Sequence, residues 1–168
     1  MQLLSVLALF VALVPGPQAA DPKAPAKTPA AKAPATAKPV AGARTVEITG
    51  GDDMKFNLTT IQAKPGETLR VVLKSVGTLP KIAMGHNFVV VKLGTDMAAF
   101  NKAAMMASTT EYVPQDQKAQ IIAATKLVGP GETVEVTFKV PAKAGNYPYL
   151  CTFPGHYAAG MKGELVVK

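Results

Sequence analysis

From residue 44 onward the apolar residues tend to recur at every second position, and this period of two is what most constrains the fold. Segments 46–49, 69–73, 88–92, 134–140, 147–151 and 164–167 are short and rich in Val and aromatic residues, the pattern of strands that bury one face. Gly50-Gly51-Asp52-Asp53, Pro65-Gly66-Glu67, Gly129-Pro130-Gly131-Glu132 and Ala144-Gly145-Asn146 punctuate them as turns. Helical patterns do not alternate with the strands, which argues against a parallel α/β sheet. Residues 44–168 are therefore expected to form an all-β, antiparallel Greek-key β-sandwich. Pro148 lacks a strand hydrogen-bond donor, so it is expected at an edge or irregularity.

One helical insertion interrupts the alternation. Thr95 or Asp96 caps MAAFNKAAMMA at 97–107, placing Met97, Phe100 and Ala104 on one face. Met97, Met105 and Met106 are read as core or cover, since methionine packs adaptably onto a sheet.

The residues before the sandwich belong to two other classes. An uncharged apolar run from Leu3 to Val14, followed by breakers and small residues to Ala20, reads as a secretory signal peptide over 1–20. The run is shorter than the roughly 20 residues needed to span a bilayer, so no transmembrane helix is expected. A periplasmic or otherwise exported location follows. Residues 21–43 are almost wholly Ala, Pro, Lys and Thr; such a segment buries too little apolar surface to order itself and reads as a stiff, solvated linker.

Charge excludes one class of partner. The chain carries a net +7, of which the linker holds four lysines and one aspartate, leaving 14 basic and 10 acidic residues dispersed over 44–168. No cluster of Lys and Arg with interleaved aromatics is present, so nucleic-acid binding has no support.

The single cysteine cannot form an internal disulfide, and in an exported protein it is either an exposed thiol or committed to chemistry. Cys151 ends a strand and leads into the turn Pro154-Gly155, which returns His156 toward it; Met161 follows. His86 opens another strand, with Phe88 and Val90 on its face and Asn87, Val89 and Val91 on the other. A thiolate, two imidazoles and a thioether from two segments match a trigonal copper site with a weak methionine ligand. Zinc also accepts Cys and two His, but structural zinc normally takes a fourth strong ligand and has no need of a thioether.

MGHN at 84–87 and CTFPGH at 151–156, followed by Met161 and Lys162-Gly163, resemble azurin and its auracyanin relatives among the cupredoxins. The resemblance runs from VEITGGDDMKFN through TKLVGPGETVEVTF to GELVVK. It implies His86, Cys151 and His156 as equatorial copper ligands, Met161 as axial ligand and the Gly85 carbonyl as a second, distant one. It also implies that Asn87 ties the two ligand segments together and donates hydrogen bonds near the sulfur. Three departures stand out: four residues separate His156 from Met161 where typical azurins have three, with Gly160 as the extra one; the usual disulfide lacks its cysteines; and Phe88 replaces the usual tryptophan.

Four protein donors leave no open position for a substrate, so the chain is not expected to be an enzyme. A catalytic Cys151 with a histidine base would leave Met161 and the second histidine without a purpose. The expected function is one-electron transfer between redox partners at a Cu(I)/Cu(II) site, with a periplasmic copper carrier or buffer as the alternative. Leu79, Met84, Phe153, Pro154 and Ala158, with Pro80 and Ala159, resemble the apolar patch around the exit imidazole His156, where partners would dock on a monomer.

Overall fold

The structure is a computed structural model describing residues 42–168. The expected signal peptide, and the linker up to residue 41, lie outside the described residues.

Two sheets face each other. One holds β1 (Arg44–Gly50), β3 (Thr68–Ser75) and β6 (Thr133–Lys139) in that spatial order. The other holds, in spatial order, β2 (Thr60–Ala63), β8 (Lys162–Val167), β7 (Gly145–Leu150), β4 (Val89–Val91) and β5 (Ile121–Ala124). Only β4–β5 and β7–β8 are neighbours in both sequence and space, so the chain otherwise passes from sheet to sheet, as in a Greek-key sandwich. The expectation of purely antiparallel pairing is corrected. β1 pairs with β3, and β2 with β8, in parallel. The reason is connectivity: between β1 and β3 the chain visits the other sheet as β2, so β3 re-enters in the same direction as β1.

The period of two survives folding where one face meets the core. Leu69, Val71 and Leu73 of β3 are fully buried and alternate with half-buried Arg70 and Val72; in β1, Val46 and Ile48 point the same way. They pack with Phe88, Val90, Tyr149, Cys151, Met161 and Leu165 from the opposing sheet and its loops. β4 is buried on both faces because it is central and covered. Its Val90 enters the main core, whereas Val89 and Val91 join Phe100 and Leu150 in a second cluster beneath the helical insertion.

That insertion is α2 (Met97–Met106), following the single turn α1 (Lys81–Met84). Asp96 is its cap, its carboxylate accepting from the Ala98 and Ala99 amides at 3.0 and 3.1 Å, which satisfies two of the otherwise unpaired first-turn donors. Phe100 and Ala104 are buried as the spacing predicts and Met97 packs beside them. Met105 and Met106 correct the reading of all three methionines as core or cover: they are 39% and 83% exposed, because their positions on the helix face away from the Phe100 and Ala104 side. Pro148 corrects the expectation of an edge or irregularity: it lies within the interior strand β7, opposite Glu164 in an unbroken ladder with β8. β4 pairs with β7 only at Leu150 and Tyr149, so the ladder stops just before the residue that could not have donated to it.

Candidate metal centre

The site lies at one end of the sandwich, where three chain segments converge. His86 sits between α1 and β4 and is held by a two-way backbone bridge to Val128, with N–H···O distances of 2.9 and 2.8 Å. Cys151 follows β7 directly, and its amide donates to the Met161 carbonyl at 3.0 Å. His156 opens the single turn α3 (His156–Ala159).

The loop from Cys151 to Met161 closes on itself. Gly155 (φ 86°) starts α3 and Gly160 (φ 97°) ends it, both in the left-handed region that glycine enters without steric cost. The Met161 amide then donates to the His156 carbonyl at 2.9 Å. The four-residue spacing is thus absorbed by one helical turn and a left-handed glycine, and Met161 still returns to the core, fully buried. The Lys55 ammonium donates to the Ala159 carbonyl beside this turn.

His86, Cys151 and His156 are brought together: one donor atom from each lies within 4.8 Å of the others, and all three residues are buried. Sγ is 3.4 Å from His156 Nδ1 and 4.0 Å from the Gly85 carbonyl oxygen. The Met161 methyl borders the same space, since a methyl group on Gly50 would lie 2.6 Å from Met161 Cε and 3.2 Å from His86 Cγ. Gly85 is the stricter case, because a Cβ there would meet the Lys81 backbone carbonyl and Leu127 at 2.8 Å.

The electrostatics fit a soft cation. Neither nitrogen of His86 has a partner among the described residues although both are buried, an expense that native interiors avoid unless something binds there. Burial holds His86 below the usual imidazole range, against the pull of Asp52 and Asp53, and burial together with His86 brings His156 down to about 4. Both rings are therefore neutral at pH 7, as ligands must be. Burial pushes the Cys151 thiol up to about 12, while the backbone amides of Asn87 and Phe153, which face the sulfur, work the other way. A thiolate here needs a cation beside it, and a metal supplies one.

Asn87 joins the segments. Its Nδ2 donates to Thr152 Oγ1 at 2.8 Å and to the Glu111 carbonyl at 3.1 Å, while its Oδ1 accepts from the Thr152 amide at 2.9 Å. Phe153 is buried against His156, ring centroids 4.8 Å apart, and closes the site. Leu79, Pro154 and Ala158 are exposed and Met84 is half-buried. Sequence reasoning missed Thr152, which no pattern flags, and Gly50, which looked like turn punctuation. It also passed over Ile82, which is 90% exposed on α1, between Leu79 and Met84 in the chain.

Comparison with known proteins points the same way. Residues 43–168 match the profile of copper binding proteins, plastocyanin/azurin family. Azurin-1 of Alcaligenes xylosoxydans xylosoxydans is 42% identical, the match covering 71% of this chain and 94% of that one. Outer membrane protein H.8 of Neisseria meningitidis is 40% identical over 76% of this chain and 69% of its own. Among solved structures, dithionite-reduced auracyanin from Roseiflexus castenholzii superposes with a TM-score of 0.66 at 39% identity, covering 76% of this chain and 99% of that one.

Proposed function

Because the chain belongs to the plastocyanin/azurin family of copper-binding proteins, we propose that His86, Cys151 and His156 hold copper as its three strong ligands, with Met161 and the Gly85 carbonyl as weak ones. The protein is a copper-binding electron-transfer protein. The observation that carries the ligand assignment is the buried cluster of three donors within 4.8 Å, in which both His86 nitrogens lack any other described partner. Bound copper supplies a one-electron Cu(I)/Cu(II) couple, and thiolate, imidazole and thioether together suit both states.

The chain's contribution is to keep the donors still. His86 is fixed by its Val128 bridge, and Cys151 and His156 are both tied to Met161 through the backbone. Asn87 spans the 65 residues between the two ligand segments with bonds to both the amide and the hydroxyl of Thr152. Phe153 keeps water from the thiolate. With every donor supplied by one chain, a monomer suffices, and no vacant position is left for a substrate to react.

Electrons would leave by the His156 edge. Leu79, Ile82, Pro154 and Ala158 are exposed and would supply apolar area for docking, Met84 is half-buried, and buried Phe153 packs against the His156 ring. Such a patch suits the small, brief interfaces of redox encounters. Residues 44–168 form the working domain. Likeness to an outer membrane protein supports export by the 1–20 segment, and among the described residues no helix is long and apolar enough to cross a membrane.

Visible spectroscopy of the purified protein with Cu(II) tests the ligand set. An intense thiolate-to-copper band is expected, absent in Cys151→Ser; a colourless copper adduct of the parent protein would sink the assignment. Electron self-exchange should be fast. Negligible self-exchange with rapid copper handover to an acceptor would make the protein a carrier.

A further inference from the structure

Glu111–Tyr112 is a turn set apart by its backbone among the described residues. Two successive non-glycine residues are left-handed there, with φ of 55° and 64°, a conformation bulky side chains avoid and one that marks sites where geometry has been imposed. The surroundings impose it. The Tyr112 amide donates to the Ala107 carbonyl at 2.8 Å, the Glu111 amide to the Ser108 carbonyl at 3.2 Å, and Glu111 Oε2 accepts from the Leu127 amide at 3.2 Å.

The strain aims two groups at the metal centre. The Glu111 carbonyl accepts from Asn87 Nδ2, and this fixes which way the Asn87 amide faces. If it were flipped, Oδ1 would oppose the Glu111 carbonyl and Nδ2 would oppose the Thr152 amide. Tyr112 meets Phe153 edge to face, centroids 5.0 Å apart at 67°, and Phe153 in turn leans on His156. Asn87 and Phe153 are the two residues whose backbone amides face the Cys151 sulfur.

We propose that the Glu111–Tyr112 turn is a positioning device for the copper thiolate: one strained turn, carried on the segment after α2, holds both residues that point an amide at Sγ. Hydrogen bonds to the sulfur favour the reduced site, so the turn helps set the reduction potential. This rests on the copper assignment above, and the test separates the two.

Three variants of Tyr112 decide it. Tyr112→Phe keeps the ring. Tyr112→Gly keeps the left-handed backbone and removes the ring, and Tyr112→Leu keeps bulk without a flat edge. We expect Tyr112→Phe to match the parent, while the Gly and Leu variants show a lower potential and a thiolate-to-copper band moved to lower energy. In the copper-free protein the Asn87 and Phe153 amides should exchange hydrogen faster in those two variants. If Tyr112→Gly does not fold, Tyr112→Leu decides. A folded Gly or Leu variant with the parent's potential and amide exchange overturns the proposal, as does Tyr112→Phe shifting equally far. If the parent itself shows no thiolate band, the copper assignment has failed, and the amide exchange still reports on the turn.

Discussion

At the scale of single residues, the centre is defined as much by what has no side chain as by its ligands. Gly50 ends β1 without the positive φ that would require glycine, yet a methyl there would press on Met161 Cε at 2.6 Å and on the His86 ring. Met161 is the flexible partner, so Gly50→Ala should fold, bind copper and displace the thioether. The expected outcome is retained strong colour with a shifted reduction potential. Met161→Leu should do the same by removing the weak ligand outright. Electrochemistry of both variants checks this: loss of copper binding in Met161→Leu would mean the thioether is a principal ligand, and an unchanged potential in Gly50→Ala would mean Met161 does not set it.

At the scale of elements, α2 matters because it covers β4, the strand that His86 and Asn87 lead into. Phe100 is fully buried between α2 and Val89, Val91 and Leu150. Phe100→Ala should cost about 3–5 kcal/mol of stability, as phenylalanine truncations in cores do, while leaving the copper spectrum unchanged in the folded fraction. Urea unfolding of the copper-free protein measures it, and a loss below 1 kcal/mol would mean α2 is not a structural lid. The same elements mark how far sequence carried the fold. The strand pattern located β1, β3, β4, β6, β7 and β8, and Asp96 was visible as a cap. β2 and β5 were missed: TIQA is four residues with polar alternation, and IIAA carries alanine where a strand would show β-branched residues. α1 and α3 are single turns, too short to display a helical period. The His86, Cys151 and His156 cluster was legible because its residues are confined to two short segments, whereas the Glu111–Tyr112 turn was not, since nothing but glycine or asparagine announces a left-handed residue.

At the scale of the whole molecule, folding decides the proton traffic of metal uptake. In the folded copper-free protein the Cys151 thiol is pushed up to about 12, His156 is brought down to about 4 and His86 is lowered. Above the ordinary imidazole range of about 6.5, both rings are already neutral and only the thiol still carries a proton that copper must displace. Binding Cu(II) at about pH 8 should therefore release one proton per ion. Affinity should rise about tenfold per pH unit there, because each unit lowers the proton's competition equally. As pH falls toward about 4, His156 also protonates and the dependence steepens. Calorimetric titration in buffers of different ionisation enthalpy counts the protons. Two or more released at about pH 8 would mean that an imidazole is held protonated above its ordinary range, and none would mean that Cys151 does not become a thiolate ligand.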